Sequence, residues 1–211
     1  EARLKVYRIG HPLSLSQVLP MLSSMGVEVV DERPYELENL ARPSHIYAFG
    51  LHYAGGLPSG ARELFQDALR AIWNGHNEID GFNSLVLSAG ITWRQATVLR
   101  AYAKYLRQAA IGFSQAYMED ALAGNPAIAR RLVDLFLAMQ DPAQAGADAA
   151  KPAAIAAEIE HLLDGVPNAD ADRILRRFLN VVRVTLRTNF FQRADGRPKD
   201  YISFKLDSWE K

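Results

Sequence analysis

The sequence predicts an α+β protein with a small αβ module over residues 1–76 and a mainly helical domain over residues 77–211. Two observations support this prediction. Up to residue 53 the apolar residues fall in short β-rich runs broken by Gly and Pro, which is typical of strands. From residue 58 onwards they recur every three or four positions, which is typical of amphipathic helices.

The first strand is predicted over residues 4–9, and Gly10 and Pro12 end it. Ser14 then favours the start of a helix as its N-cap residue, with Gln17 three positions on as the capping-box partner. Apolar residues continue at helical spacing as far as Met25, and Gly26 is the expected C-terminal stop. Pro20 lies beyond the first free turn, so we expect it to kink this helix or delay its start.

Two strands and one helix follow in the first module, over residues 27–37, 45–53 and 61–75. In the second domain, helices are predicted over residues 92–113, 126–140, 155–165 and 169–191. Residues 82–90 fit either a helix or a strand, and the Ala/Gly-rich residues 143–154 are predicted to form a loop. Residues 201–207 alternate like a strand and close the chain.

Composition excludes several classes of protein. The 24 basic residues equal the 24 acidic ones, so no net charge attracts nucleic acid or a membrane surface. There is no cysteine, which excludes disulfides and thiolate sites and fits a reducing compartment. No apolar run reaches the length of about 18 residues that a membrane span requires. Because the chain opens inside a strand-like run without Met, we expect a fragment of a longer protein.

The stretch RIGHPLSLS after the first strand does not form a nucleotide site. A dinucleotide fingerprint needs three glycines at fixed spacing, and this stretch supplies only Gly10. A phosphate loop with Gly-Lys followed by Ser or Thr is also absent. We therefore expect no cofactor in this part of the chain.

The order strand, helix, strand, strand, helix resembles an ACT-type (ferredoxin-like) module. In such modules small ligands bind at the first turn, so Gly10, His11, Pro12 and Ser14 form the candidate effector-binding turn. The alternative is that Gly10 and Pro12 only shape the turn. An ACT-type module also needs a fourth strand after its second helix, and residues 201–207 are the candidate for it.

Metal and catalytic sites are not predicted anywhere in the sequence. The five histidines never show a metal-ligand spacing. No nucleophile motif or paired carboxylate motif is present, and none of the six lysines lies in an apolar, glycine-rich setting. We therefore assign no catalytic residue and no metal ligand.

Two helices carry arginine stripes, which leaves nucleic-acid binding as an alternative function. Such stripes are more often solvated or paired with acidic neighbours. The stripes consist of Arg94, Arg100, Lys104 and Arg107 in the first helix and of Arg173, Arg176, Arg177, Arg183 and Arg187 in the second.

Six stretches together resemble the large bacterial NAD-specific glutamate dehydrogenases, in the segment just before the catalytic domain. The longest and most specific is GFNSLVLSAGITWRQATVLRAYAKYLRQ. The others are KVYRIGHPLSLSQVLPMLSSMGVEVVDERPYEL, HIYAFGL, NPAIARRLVDLF, DADRILRRFLNVVRVTLRTNFFQ and YISFKLDS.

This resemblance implies a cytoplasmic homo-oligomer that uses NAD to deaminate L-glutamate oxidatively to 2-oxoglutarate and ammonia. It implies that the present chain holds the last ACT-like module and a helical motif, with NAD and the catalytic residues elsewhere. The expected role is regulation and assembly. The expected partners are the catalytic domain of the same chain, other copies of the chain and a small amino-acid effector. A stand-alone amino-acid sensor remains the alternative.

Overall fold

The computed structural model describes residues 2–109, 112–144 and 149–207. They fall into two compact units, Glu1–Trp93 and Arg94–Lys211. The first unit is an antiparallel sheet with helices and the second is mainly helical, so the predicted α+β class with an ACT-like module is confirmed. The first unit extends beyond the predicted boundary at residues 76 and 77, because the segment Gly81–Ser88 also packs within it.

The strands and helices of the first unit agree with the predicted ones to within two or three residues. The exception is the segment around residues 82–90, where the structure selects a helical conformation. In chain order the elements are β1 (Ala2–Ile9), α1 (Leu15–Ser24), β2 (Glu28–Leu37), β3 (Ser44–His52), α2 (Ala61–Trp73), a short 3-10 helix (Gly81–Ser84) and α3 (Leu85–Ser88).

The sheet has the strand order β1-β3-β2, and both pairings are antiparallel. The central strand β3 is almost entirely buried, whereas β1 alternates between half-buried and exposed residues, as expected for a strand with one solvated face. Strand β2 is exposed over its last five residues. The helices cover one face of the sheet, and their apolar stripes enclose a core centred on Leu22, Met25, Phe49, Ala68 and Val86.

The other face of the sheet is open and carries four rows of residues that cross all three strands. One row places Arg3 and Asp31 on either side of Gly50, and their side chains form an ion pair at 2.8 Å. A Cβ on Gly50 would lie 2.9 Å from the Asp31 carboxylate, so glycine is needed for this approach. The hydrogen bond from Arg3 is the main reason that the pKa of Asp31 lies below its ordinary value.

Asn83 is the central polar residue of the first unit, and its side chain is completely buried. Its amide group donates to the backbone oxygen of Glu78 at 2.8 Å and to the hydroxyl of Ser24 at 3.2 Å. Its side-chain oxygen accepts a bond of 2.9 Å from the amide of Asn77. One side chain thus joins the end of α1 to the segment that follows α2.

The second unit consists of five helices and two small β-ladders in the described residues. Its elements are α4 (Trp93–Gln108), α5 (Gln115–Ala123), α6 (Pro126–Gln140), a 3-10 turn (Pro142–Gln144), α7 (Lys151–Leu163), α8 (Ala169–Arg183), β4 (Thr185–Thr188), β5 (Arg193–Ala194), β6 (Arg197–Pro198) and β7 (Phe204–Leu206). Strand β4 pairs with β7, and β5 pairs with β6.

Aromatic rings and one hydroxyl pair organise the core of the second unit. Tyr102 stacks on Phe204 with ring centroids 4.4 Å apart, and Phe136 makes edge contacts with several neighbouring rings. The hydroxyls of Tyr102 and Thr185 lie 2.9 Å apart in the core, and the Thr185 hydroxyl also donates to the backbone oxygen of Val181. Burial raises the pKa of Tyr102 far above its ordinary value.

The predicted final helix over residues 169–191 is too long. Helix α8 ends at Arg183, and strand β4 begins at Thr185. At this junction the Thr185 hydroxyl donates to the backbone oxygen of Val181, and the Val184 oxygen accepts from the N–H of Asp207. The strand predicted over residues 201–207 is shortened to β7 and pairs with β4. The idea that it fills the fourth position of the first sheet is therefore wrong.

Three smaller predictions also need correction. Helix α1 begins directly after Ser14 although Pro20 lies inside it, so its start is not delayed. Helix α5 was not predicted, although Ser114 caps it by accepting from the backbone N–H of Tyr117. The predicted loop over residues 143–154 becomes helical at Lys151, and its residues 145–148 lie outside the described part.

We predict that Asn83→Ala lowers the free energy of unfolding of the first unit by about 3 kcal/mol. The change removes three hydrogen bonds that a completely buried side chain makes, and losing bonds of a buried polar group costs roughly 1–3 kcal/mol. Urea unfolding followed by tryptophan fluorescence measures this, since Trp73 and Trp93 both lie in this unit.

The matched control is Asn74→Ala, because Asn74 is exposed at the C-terminal end of α2. A surface change of this kind shifts the free energy of unfolding by less than about 0.5 kcal/mol. Equal effects of the two substitutions would contradict the role given to the Asn83 amide.

Candidate functional site

The predicted effector-binding residues form the turn that joins β1 to α1. Gly10 adopts a φ of +92°, which favours glycine, and its N–H donates to the backbone oxygen of Pro43 at 2.8 Å. His11, Pro12 and Ser14 are exposed. The structure therefore brings the four residues together at one exposed corner of the first unit.

Two of the N–H groups in this turn are already occupied. Gly10 bonds to Pro43, and the backbone N–H of the buried Leu13 donates to the hydroxyl of Tyr47 at 2.9 Å. Pro12 has no N–H to offer. In the first turn of α1 the N–H of Gln17 also donates to the backbone oxygen of Ser14, at 3.1 Å, so the backbone donors available for a ligand there are those of residues 14–16.

Ser14 occupies the N-cap position as predicted, but its side chain makes no capping hydrogen bond. Its hydroxyl lies 2.7 Å from that of Ser16 instead, so the predicted capping box with Gln17 does not form. The first N–H groups of an α-helix lack partners within the helix and carry a partial positive charge. This end of α1 therefore keeps the capacity to bind an anionic group.

Arg8 is the cationic side chain beside the turn, and the sequence patterns did not single it out. Its Nε donates to the backbone oxygen of His11 at 3.2 Å, and its guanidinium lies 6.0 Å from the ring centroid of Trp73. The sequence feature that could have identified Arg8 is its position two residues before Gly10, on the helix-facing side of β1. A shallow cleft of about 390 Å³ begins at Arg8 and is lined also by Ser16, Gln17, Pro20, Met21, Trp73 and Ile79.

A second and larger cleft of about 620 Å³ lies at the other end of β1. It is mainly apolar, with Leu4 and Leu51 from the sheet and Phe65 from α2 among its lining residues. Tyr53 also lines it, and burial raises the pKa of its hydroxyl. This cleft was not predicted, because its position beside β1 depends on the strand order of the sheet, and the sequence patterns did not give that order.

The arginines of the second stripe mostly contact carboxylates of the same unit. Arg183 pairs with Glu160 at 2.6 Å, Arg176 with Asp172 at 2.9 Å, and Arg173 with a neighbouring aspartate. In the first stripe Arg100 is buried rather than displayed. The continuous basic surface that nucleic-acid binding would require is thus interrupted by ion pairs.

The described residues contain no group of three or more His, Asp or Glu side chains placed to hold a metal ion. None of the helices in that part of the chain combines the length and the apolar character needed to cross a bilayer.

Three successive parts of the chain match descriptions of glutamate dehydrogenase segments. Residues 1–64 match "Glutamate dehydrogenase, ACT3 domain" and residues 77–142 match "Glutamate dehydrogenase, helical motif 3". Residues 158–210 match "Bacterial NAD-glutamate dehydrogenase, catalytic domain". The last match falls inside the region that the sequence patterns group with the helical domain.

Curated relatives resemble the chain over nearly its whole length. The NAD-specific glutamate dehydrogenase of Halomonas elongata is 39% identical over 208 residues, or 97% of this chain. Those of Mycobacterium tuberculosis and Pseudomonas aeruginosa are 42% and 41% identical, over 98% and 96% of this chain. The matched region is only 13%, 14% and 13% of the three relatives, so the chain spans a small part of their length.

We predict that Tyr47→Phe destabilises the turn at the start of α1. The substitution keeps the ring in the core but removes the acceptor of the buried Leu13 N–H. Leaving such a group unpaired costs roughly 1–3 kcal/mol. Hydrogen exchange of residues 10–18 measures the effect and should become faster in this segment.

The control for this change is Tyr7→Phe, because Tyr7 is 70% exposed on the open face of the sheet. It should leave exchange in the turn unaltered. If Tyr47→Phe also left it unaltered, the hydroxyl would not stabilise the turn.

Proposed function

Because the chain belongs to the family of bacterial NAD-specific glutamate dehydrogenases, we propose that it is a regulatory and assembly segment without catalytic residues of its own. The full-length enzyme would oxidatively deaminate L-glutamate to 2-oxoglutarate and ammonia, with NAD bound outside this segment. The observation that supports this best is the order of the matches, ACT3 domain, helical motif and catalytic domain, along one chain.

The chemistry of the described side chains supports a role outside catalysis. The tyrosine with the most strongly raised pKa, Tyr102, is enclosed in the core with Thr185 and lines neither of the two clefts described above. The residues that match the catalytic domain contribute ion pairs and aromatic packing, such as Arg183 with Glu160. We infer that this stretch connects the helical segment to the catalytic domain.

The regulatory part of the proposal concerns the turn Gly10–Ser14. A small amino-acid effector would place its carboxylate near Arg8 and the first N–H groups of α1. The paired hydroxyls of Ser14 and Ser16 are 2.7 Å apart and offer acceptors for its ammonium group. The adjoining cleft beside Trp73 leaves room for the side chain.

The remaining partners follow from the same proposal. The chain would contact the catalytic domain of its own polypeptide and other copies of that polypeptide in a cytoplasmic homo-oligomer. No nucleic acid and no membrane would be involved.

Activity measurements test the absence of catalytic residues. We expect the full-length enzyme to form NADH from L-glutamate and NAD, and the 211-residue chain to form none under the same conditions. NADH formation by the 211-residue chain alone would refute the proposal that the segment is not catalytic.

We predict that Arg8→Gln removes the response to the amino-acid effector. A thermal-shift screen of the protein amino acids at millimolar concentration identifies it, since a ligand that binds only the folded state raises the melting temperature. The variant should lose this rise, whereas Arg8→Lys should keep part of it because the positive charge remains.

Arg70→Gln is the matched control, since Arg70 is exposed on α2 and pairs with Asp67 away from the turn. It should respond to the effector like the wild type. The effector site would be disproved by an unchanged response of Arg8→Gln, or by the lack of any response in the wild type.

A further inference from the structure

We propose that the outer edge of β1 is a docking site for a strand from elsewhere in the same polypeptide, outside residues 1–211. This strand would complete the sheet as its fourth member and cover the large cleft beneath it. The inference rests on the proposed function, because it requires the chain to be part of a longer enzyme.

The two edges of the sheet differ in their readiness to accept a strand. Strand β1 pairs with β3 over all eight of its residues without a register shift, and none of the described strands pairs with its outer edge. Strand β2 forms the other edge, where a bulge between Val29 and Asp31 interrupts the ladder and Pro34 has no N–H to offer a further strand. Proline and bulges protect edges from unwanted pairing, and β1 has neither.

The apolar cleft lies where a fourth strand would be needed. It is lined by Ala2 to Lys5 of β1 and by Ala61 to Gln66 of α2, so it lies between the free strand edge and the second helix. A strand that followed α2 would occupy this corner. The chain instead turns at Gly75, with a φ of +74°, and forms the helical segment Gly81–Ser88.

The interior of the cleft requires apolar side chains from its occupant. Leu4, Phe65 and Leu87 line it, and Leu57 at its border is 64% exposed. An added strand would direct every second side chain into this space. Burying that surface contributes about 25 cal/mol per Å² to the free energy of docking.

On the open face of the sheet, the charge of β1 favours an acidic side chain in the added strand at the position opposite Lys5. Lys5 lies on that face in one row with Ala48 and Arg33. Within the described residues no carboxylate pairs with Lys5. Opposite charges on directly facing positions stabilise a strand pair, so the residue opposite Lys5 is expected to be Asp or Glu.

A second copy of β1 fits this edge poorly. Facing residues of antiparallel strands lie on the same face, so a two-fold pairing of two copies of β1 is centred on one residue. The two registers of greatest overlap are centred on Lys5 and on Val6. Centring on Lys5 sets two ammonium groups opposite each other, which is destabilising. Centring on Val6 places Arg8 of one copy opposite Leu4 of the other, at the apolar cleft.

A segment of the same polypeptide is favoured over a separate protein. The chain spans only 13–14% of its relatives, so most of the enzyme lies outside residues 1–211. A tethered strand binds at an effective concentration on the order of millimolar, so modest affinity suffices. Apolar residues that face the cleft and an acidic residue opposite Lys5 are a pattern that a strand of the same enzyme can readily supply.

Photo-cross-linking in the full-length enzyme tests this assignment. Leu57→p-benzoyl-L-phenylalanine places the cross-linker at the cleft, and mass spectrometry identifies the peptide joined to it. Mixing isotopically heavy and light copies separates links within one copy from links between copies. We expect a link within one copy to a segment outside residues 1–211 that has apolar residues at every second position and an Asp or Glu between two of them. Links only within residues 1–211, to a second copy or to another protein, or no link, would overturn the proposal.

Hydrogen exchange of residues 2–9 in the same enzyme gives an independent measurement. We expect Lys5→Glu to accelerate exchange of this segment at least tenfold, while Lys5→Arg leaves it unchanged. Arg33→Glu is the control, because Arg33 lies on the same face but in β2. Unaltered exchange in Lys5→Glu would contradict the proposal.

Glutamate-dependent NADH formation is measured on the same samples. An active wild-type enzyme without the expected cross-link would refute the docked strand alone. An inactive full-length enzyme would refute the proposed function instead.

Discussion

The buried amide of Asn83 is the constraint on which the first unit depends. A side-chain amide in an apolar interior is costly unless all of its donors and its acceptor find partners. Asn83 meets this requirement through Asn77 and Glu78, which shortly precede it in the chain, and through Ser24, which lies 59 residues earlier. The tight approach at Gly26, where an added Cβ would lie 3.2 Å from Ser84, belongs to the same junction. The position of the helical segment Gly81–Ser88 on the sheet module is thereby specified by polar bonds as well as by apolar contact.

Much of the fold could be predicted from local patterns, and the errors share one cause. The elements of the first unit follow from alternation, turn residues and helical spacing. Helix α8 was predicted too long because its apolar spacing continues to Phe190 and Phe191. The groups just beyond its end bond to residues distant in the chain, the Thr185 hydroxyl to Tyr102 and the Val184 oxygen to Asp207. The prediction of residues 201–207 as a fourth strand failed for the same reason. Its true partner, β4, was concealed within an apparent helix.

The candidate site was only partly predictable. The turn at Gly10 is visible in the sequence because glycine and proline interrupt a strand before a helix. The hydrogen bond that occupies the Gly10 N–H could not be predicted from the sequence, because its acceptor, Pro43, lies in the loop that precedes β3. Arg8 was overlooked because a single arginine in a strand carries no pattern, although the fold places it beside the turn. To predict the apolar cleft at the free edge of β1 one must know the strand order of the sheet, and no local sequence pattern gives that order.

The junction at Asn83 also determines where the protein can be divided. The ACT3 match ends at residue 64, within α2, while the compact unit continues to Trp93. A shortened chain that stopped at residue 64 would lose Phe65, Leu69 and Ile72 from its core and expose the sheet face that they cover. The domain defined by sequence similarity therefore ends earlier in the chain than the compact unit of the structure. A recombination or truncation that cuts after Trp93 preserves the folding unit. One that cuts after residue 64 exposes the sheet face and produces an aggregation-prone fragment.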